Sequence, residues 1–385
     1  MKQSWNDFLY LVSCALNRET PELSKVEKMD MEALYRLAKE QSLLGLVAMT
    51  VEDAGRKIEG NWLQAKEKVV RKSLLLDAEY QRVVDALEQQ GIWHMPLKGR
   101  ILQDYYPKKG MRQMADADIL FDASCREQVH SLFLEWGYEV KVYGFGSHDA
   151  YLKEPVYNFE MHVSLYDGPE RERFQSYYAG VKERLKKVEG KASEFCFTDE
   201  DFYIYFITHA YKHHAGAGTG LRTLTDWYVY LKEKEDSLDW EYVRNELQKL
   251  GVAEYEEESR RLCSVLFAGN LQKNLSEEEE RTLSLYLSSA TYGTEQRHVE
   301  STVKKLKEEK GSGLVRWSYI RNRLFPEKSV LEFYCPAARE HKMLLIYAWF
   351  KRALKVVTKN KSIRRELKYV DSALKKESVQ TTCAK

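Results

Sequence analysis

No hydrophobic run in this chain approaches the roughly 20 residues that a membrane-spanning helix needs. Long apolar stretches such as LLGLVAM and MLLIYAWF stop at seven and eight residues. A strong charge of either sign is also missing. The 60 Lys and Arg residues against 59 Asp and Glu leave a formal net charge of +1, so no whole-chain field draws the protein to nucleic acid or anionic lipid. Any such attraction has to come from a local patch. Cysteine is sparse: Cys14, Cys125, Cys196, Cys263, Cys335 and Cys383 lie far apart, with no C-x-x-C pair. That spacing excludes zinc-ribbon and dithiol redox motifs. The thiols are expected to be reduced and mostly buried, in a cytoplasmic protein. The opening MKQSWNDFLYLVSCALNRET carries acids and polar residues through its apolar part, so an amphipathic helix is expected there, not a secretory leader. No membrane attachment is expected.

Only 7 prolines and 20 glycines interrupt 385 residues rich in Leu, Glu and Lys, and helix is expected over most of the length. Residues 1–90 read as helices. In MDMEALYRLAKEQSLLGLVAMTVEDA the apolar positions Met31, Leu34, Leu37 and Ala38 recur at helical spacing, and a long helix should close near Gly91. The texture changes over 91–168. A short extended run, Ile92 to Leu97, leads to Lys98-Gly99. A brief helix, the turn-forming YPKKG and a strand from Ala115 to Phe121 follow. A helix entered near Asp122 or Ser124 closes at Gly137, and strands are expected in YEVKVYG and around Pro155. Helices return over 169–385, with a capping box formed by Ser276 and Glu279, a flexible break at KGSG and a basic tail. The expected class is α+β and mostly helical, a small sheet unit flanked by N-terminal and C-terminal helical regions.

Within the strand ADADILF, Asp116 and Asp118 are two apart and project from one face, while Ala117, Ile119 and Phe121 take the other. Two neighbouring carboxylates beside an apolar run either share a proton or hold a cation. Hard oxygen ligands suit Mg²⁺, with Mn²⁺ as a substitute. Paired metals can clamp an in-line phosphoryl displacement. A third acid, Glu160, shares a strand face with His162 and Ser164 in YNFEMHVSLY, and suits either a third metal ligand or a general base. The lone D-x-D pattern is common in turns, and a lone strand histidine is more often a hydrogen-bonded core residue than a ligand. The combination is the specific signal.

These residues resemble the DNA polymerase beta-type nucleotidyltransferases, and within them the group described as uncharacterised nucleotidyltransferases. The segments that carry the resemblance are PLKGRILQDYYPKKGMRQMADADILFD, FEMHVSL, THAYKHH with LRTLTDWYVYL, and RLFPEKSVLEFY, across roughly residues 30–355. The resemblance implies a small mixed sheet with the D-x-D strand at its centre. It also implies transfer of a nucleoside monophosphate from a nucleoside triphosphate to an acceptor, using Mg²⁺. Carried over by position, Asp116 and Asp118 match the metal-binding pair and Glu160 the third acid. Lys98 and Gly99 match the phosphate-approach turn and Arg112 the arginine before the metal strand, and all three are nucleotide- or phosphate-side candidates. The broader superfamily places Gly-Ser at that turn, and this chain has Lys98-Gly99-Arg100. Gly99 keeps close backbone approach open, and Lys98 offers a cation for phosphate.

The resembling segment FITHAYKHHAGAGTGLRTLTDWYVYL puts His209 and His213 four apart on a helix, with Lys212 beside them. Two histidines alone fall short of a zinc site. If this segment faces the sheet, Lys212, His213, His162 and Arg222 are phosphate-side candidates. The competing expectation is a hydrogen-bond network, with Arg222 and Asp226 spaced to pair. The tail 351–376 holds ten Lys and Arg, more simply a solvated amphipathic helix packed by Leu354, Val357 and Leu367 than an RNA-binding face. The expected function is thus Mg²⁺-dependent nucleotidyl transfer to an unidentified acceptor. The alternatives are a non-catalytic nucleotide- or partner-binding protein of the same fold, and a D-x-D glycosyltransferase, which needs a Rossmann-like half before the motif.

Overall fold

The computed structural model describes residues 3–167, 172–268, 275–291, 293–310, 314–325 and 365–374, with five further positions between 344 and 350. Five helices come first: α1 (Gln3–Asn17), α2 (Leu23–Val26), α3 (Met31–Glu40), α4 (Leu44–Asp53) and α5 (Asn61–Gln89). Local chemistry sets their limits. Asp30 caps α3 by accepting from the backbone N–H groups of Glu32 and Ala33, satisfying donors that have no partner within the helix. In α5 the buried Leu76, Tyr80, Val83, Val84 and Leu87 recur three or four residues apart and form one stripe. Gly91, at φ +65°, then turns the chain.

The sheet follows, as expected from the change in texture. Its elements are β1 (His94–Pro96), α6 (Gly99–Leu102), β2 (Ala117–Phe121), α7 (Arg126–Glu135), β3 (Glu139–Val142), β4 (His148–Lys153) and β5 (Tyr157–His162). The strand order is β1-β2-β5-β4-β3. Only β2 and β5 pair in parallel; the β1–β2, β5–β4 and β4–β3 pairs are antiparallel. The chain between β2 and β5 supplies the long connection that a parallel pair requires. The D-x-D strand starts at Ala117, two residues later than its apolar pattern indicates, so Asp116 sits just before the ladder.

All five residues of β2 are buried, because both sheet faces are covered. Ala117, Ile119 and Phe121, with Phe159, Met161 and Tyr151, pack against the stripe of α5 and against Val129 and Phe133 of α7. On the other face, Leu120 joins Met95 and Leu97 in a larger core that includes α1, α4 and the helices after the sheet. Those are α8 (Glu172–Tyr177), α9 (Asp199–Ala215), α10 (Leu221–Lys234), α11 (Trp240–Lys249), α12 (Ala253–Phe267) and α13 (Glu277–Ser289). The capping box of α13 forms as expected, with Ser276 and Glu279 satisfying each other's backbone N–H. A two-stranded ladder, β6 (Lys186–Lys187) with β7 (Phe195–Cys196), interrupts the expected helical stretch. Two-residue strands carry no periodicity from which to read them.

The chain divides into two compact units, Met1–Tyr211 with Gly220–Thr291, and Lys212–Thr219 with Tyr292–Lys385. The second contains α14 (Glu295–Lys310) and α15 (Val315–Leu324), with Val299, Val303, Val315, Val370 and Ala373 in a small core of its own. In it, Arg323 closes bidentately on the buried Glu366 at 2.9 and 2.8 Å. Residues 365–374 of the basic tail are helical. The rest of that tail, and KGSG beyond Lys310, lie outside the described residues. No helix among the described residues is long and apolar enough to cross a membrane.

Phe133 is fully buried, with its ring stacked on Tyr151 at 4.3 Å and edge-on to Tyr138 at 4.9 Å. Phe133→Ala is expected to destabilise the fold by about 3–5 kcal/mol. Leu134→Ala, at a neighbour that is 49% exposed, should stay within about 0.5 kcal/mol. Urea denaturation of both variants checks the pair.

Candidate active site

The pairing register, which no single segment reveals, brings the acids together. Asp118 lies directly opposite Glu160 across the parallel β2–β5 pair. Along β5, His162 sits two residues further on the same face, and β4 places His148 opposite His162. Asp118 and His162 are buried, and Asp116, Glu160 and His148 are half-buried. The result is an acidic face with two imidazoles beside it, and β2 holds it over the core.

Each charge on this face has an answer. The Nε2–H of His162 donates to Asp118 Oδ1 at 2.9 Å, and Lys98 Nζ lies 3.4 Å from Asp118 Oδ2. Burial alone would raise the Asp118 pKa; the Lys98 charge and the His162 hydrogen bond outweigh it and hold the carboxyl well below the usual range. Asp116 has the opposite fate. Burial first, then repulsion from Asp118 and Glu160, pushes it up to about 6 against the pull of Lys98 and Arg222. His148 and His162 each place Nε2 3.7 Å from Glu160 Oε2. For His162, burial opposes protonation, but the hydrogen bond to Asp118 and the neighbouring Glu160 carboxylate win and raise its pKa. Burial and the neighbouring His162 lower that of His148.

Lys98 is held in an uncommon conformation. Its φ of +32° is one that side-chain-bearing residues seldom adopt, and such strain persists where surrounding contacts over-determine it. Here its ammonium also donates to His209 Nε2 at 3.1 Å. An ammonium has no acceptor, so the accepting Nε2 of His209 carries the lone pair. His209 of α9 is thereby joined to this cluster. Lys212 and His213 occupy the last turn of α9 and are grouped with the second unit.

Arg112 is 7% exposed and closes on Asp226 of α10, Nε to Oδ1 at 2.7 Å and Nη2 to Oδ2 at 2.8 Å. The Tyr106 hydroxyl donates to the same Oδ1 at 2.7 Å. Arg112, a phosphate-side candidate by its position, pairs with Asp226 here and so fixes the loop before β2 on α10. Asp226, the residue spaced to pair with Arg222, is the partner of Arg112. Arg222 reaches the same loop, its Nη1 donating to the Gln113 carbonyl at 3.1 Å. Gly99 is explained within the chain. A Cβ there would lie 2.7 Å from Arg112 Nη1 and 2.8 Å from Met114 Cε, so the α6 turn and the loop before β2 come this close only at a glycine.

Two residues of the cluster went unread in the sequence. His148 could be found only with the β4–β5 register in hand. Lys72, on α5, donates to the Ala115 carbonyl at 3.0 Å and carries a positive charge near Asp116. Burial lowers its pKa and Asp116 partly restores it. No spacing rule links a helix residue to a strand more than 40 positions away.

Asp116, Asp118 and Glu160 offer carboxylate oxygens, the donor type that a hard divalent ion takes. The group on this face whose ligand atoms lie within 4.8 Å of one another is His148, Glu160 and His162, which adds two imidazole nitrogens. A family model described as "Uncharacterised nucleotidyltransferase" matches residues 27–268. That span takes in the sheet, the acidic face and helices α9 to α12, and leaves RLFPEKSVLEFY outside it. No curated protein and no solved structure gives a significant match.

Because Arg112 is locked by two bonds, Gly99→Ala should destabilise the protein by about 1–3 kcal/mol through overpacking. Arg112→Ala strands Asp226 and should cost about 3–5 kcal/mol. The double variant removes the guanidinium, the closest of the obstacles at position 99, and leaves Met114, so the two costs should fall short of additivity by at least ~0.5 kcal/mol. Chemical denaturation of the three variants measures the coupling; full additivity would contradict the contact.

Proposed function

The chain belongs to the uncharacterised nucleotidyltransferase family, and from that premise we propose that it transfers a nucleoside monophosphate from a nucleoside triphosphate to an acceptor hydroxyl or phosphate, with Mg²⁺ or Mn²⁺ held at the acidic face. The observation that carries the reading is the register that sets Asp118 against Glu160 on a buried sheet face, next to Asp116 and within reach of Lys98.

Asp116, Asp118 and Glu160 would hold the metal. When bound, it supplies charge neutralisation and polarisation for the phosphates at the site of transfer. The residues of the chain do the rest. His162 orients Asp118 through its 2.9 Å bond and keeps the carboxylate ionised. Lys98 balances Asp118 in the structure described here, and its flexible ammonium can turn from that carboxylate to a phosphate oxygen. Arg222 adds positive potential beside Asp116. Lys212 and His213 fall within the family match and remain proposed phosphate-side residues on their chemistry alone. The Arg112–Asp226 pair and Gly99 act as positioning residues, anchoring the loop that presents Asp116. Glu160 is the proposed acceptor of the attacking hydroxyl's proton. The acceptor oxygen then bonds the α-phosphorus as the bond to the bridging oxygen breaks and pyrophosphate leaves.

A cytoplasmic setting suits the thiols; Cys14 and Cys263 are buried and free, and Cys125 and Cys196 are half-buried and free. The glycosyltransferase alternative loses support, because α1 to α5 stand where a Rossmann-like half would be required.

Asp118→Asn keeps the shape of the buried side chain and removes its charge. The variant is expected to fold, with an unchanged far-UV spectrum. Transfer of label from α-³²P nucleotides to pooled RNA, protein, sugar-phosphate and aminoglycoside acceptors should drop at least ~100-fold, the scale of removing a key electrostatic contact. Wild-type-level transfer by this variant would sink the catalytic reading. Mg²⁺-dependent nucleotide binding without product in the wild type would favour a non-catalytic binder.

A further inference from the structure

Away from the acidic face, the end of α5, strand β1 and the β6–β7 ladder meet at a second constellation. Glu88 lies in the last turn of α5, His94 begins β1, and Glu194 precedes β7. Each offers one ligand atom, and the three atoms lie within 4.8 Å of one another. Main-chain bonds build the arrangement. The Glu88 carboxylate accepts from the backbone N–H groups of Ala192 and Ser193 at 2.9 and 2.8 Å. The His94 N–H donates to the Ser193 carbonyl at 3.0 Å, and His94 and Glu194 form a parallel bridge.

The histidine supplies the decisive observation. His94 is fully buried, at 0% exposure. Its Nδ1 lies 3.0 Å from the Ile92 carbonyl, an atom that can only accept, so Nδ1 carries the proton and donates. In the neutral ring Nε2 then holds a lone pair, and that nitrogen is buried with no hydrogen-bond partner. Ionised carboxylates have no proton to give it. Three lone-pair atoms therefore converge: Glu88 accepts from the main chain, Glu194 has Lys191 Nζ 3.7 Å from its Oε2, and His94 Nε2 has no hydrogen-bond partner. A ligating histidine usually donates its other ring N–H to a backbone carbonyl or carboxylate, which is the arrangement at Ile92. The C-terminal end of α5 also favours positive charge.

We propose that Glu88, His94 and Glu194 form a second metal site, taking a divalent transition ion of the zinc type through one imidazole nitrogen and two carboxylates. One imidazole with two carboxylates suits Zn²⁺ better than Mg²⁺, which prefers oxygen and water. The site is distinct from the acidic face. His94 pairs with Phe121, three residues or about 10 Å along β2 from Asp118. Its role follows from what it joins. It clips the β6–β7 ladder and the end of α5 to the β1 edge of the sheet, and leaves the fourth coordination position to water.

The test uses the full chain, stripped with EDTA, dialysed and titrated with Zn²⁺ alone. Bound metal is counted by mass spectrometry, and thermal melting is followed in parallel. The wild type and Glu160→Gln, which alters only the acidic face, are expected to retain this equivalent of zinc and to melt higher with it. His94→Gln and Glu194→Gln should lose that equivalent or bind it at least ~10-fold more weakly, with Mg²⁺-dependent triphosphate binding unchanged. If His94→Gln does not fold, Glu194→Gln decides, since that residue is half-buried. Equal zinc binding by the wild type and Glu194→Gln would overturn the proposal. So would a wild type that takes up no zinc, which would leave a buried water on Nε2.

Discussion

Three carboxylates on one sheet face repel one another, and the arrangement around β2 answers that repulsion. The strand is buried from both sides, so water cannot screen Asp118 as it would a surface aspartate. The protein supplies the compensation. Lys98 and His162 each take one oxygen of Asp118, and Arg222 and Lys72 add positive charge near Asp116. The balance is uneven. Asp118 is held ionised, whereas Asp116 is pushed up to about 6, so the internal cations do not settle both acids. A divalent ion would add to that compensation at Asp116, and three carboxylates converging on one buried sheet face mark it as a candidate metal site.

The surrounding packing serves that one strand. α5 and α7 close one side through their apolar stripes, while the larger helical core closes the other. The bidentate Arg112–Asp226 pair then fixes the loop that delivers the chain into β2. A pair this deeply buried contributes little net stability beside well-packed apolar residues, but it defines one geometry for the loop. Gly99 belongs to the same device, because only a residue without a side chain fits against that locked guanidinium. Its neighbour Lys98 carries the strained backbone and brings the ammonium to Asp118.

What was legible in the sequence were the local features. The apolar alternation around Asp118 and Glu160 was enough to read two strands and the faces they present, and the stripe of α5 and the capping box of α13 could be read from spacing alone. What could not be read was pairing. The opposition of Asp118 and Glu160 depends on the parallel β2–β5 register, and the place of His148 beside them on the antiparallel β4–β5 register. Arg112 and Asp226 are 114 residues apart, and no periodicity announces that they meet. Glu88, His94 and Glu194 were invisible for the same reason: the groups that bring them together are backbone amides and a two-residue ladder. The position of Arg112 ahead of the motif marks it as a phosphate-side candidate, whereas its partner Asp226 is set by the tertiary fold.

On the proposed function, the acidic face on β2 and β5 holds a divalent cation and, through it, a nucleotide. A crystal structure grown with Mn²⁺ and a non-hydrolysable nucleoside triphosphate tests it most directly, because manganese can be located by its anomalous scattering. The account predicts an anomalous peak in direct contact, about 2.0–2.3 Å, with carboxylate oxygens of Asp116, Asp118 and Glu160, with a triphosphate oxygen on the same ion and Lys98 turned from Asp118 to phosphate. A triphosphate bound elsewhere, or a manganese-free acidic face with Lys98 still on Asp118, would contradict it.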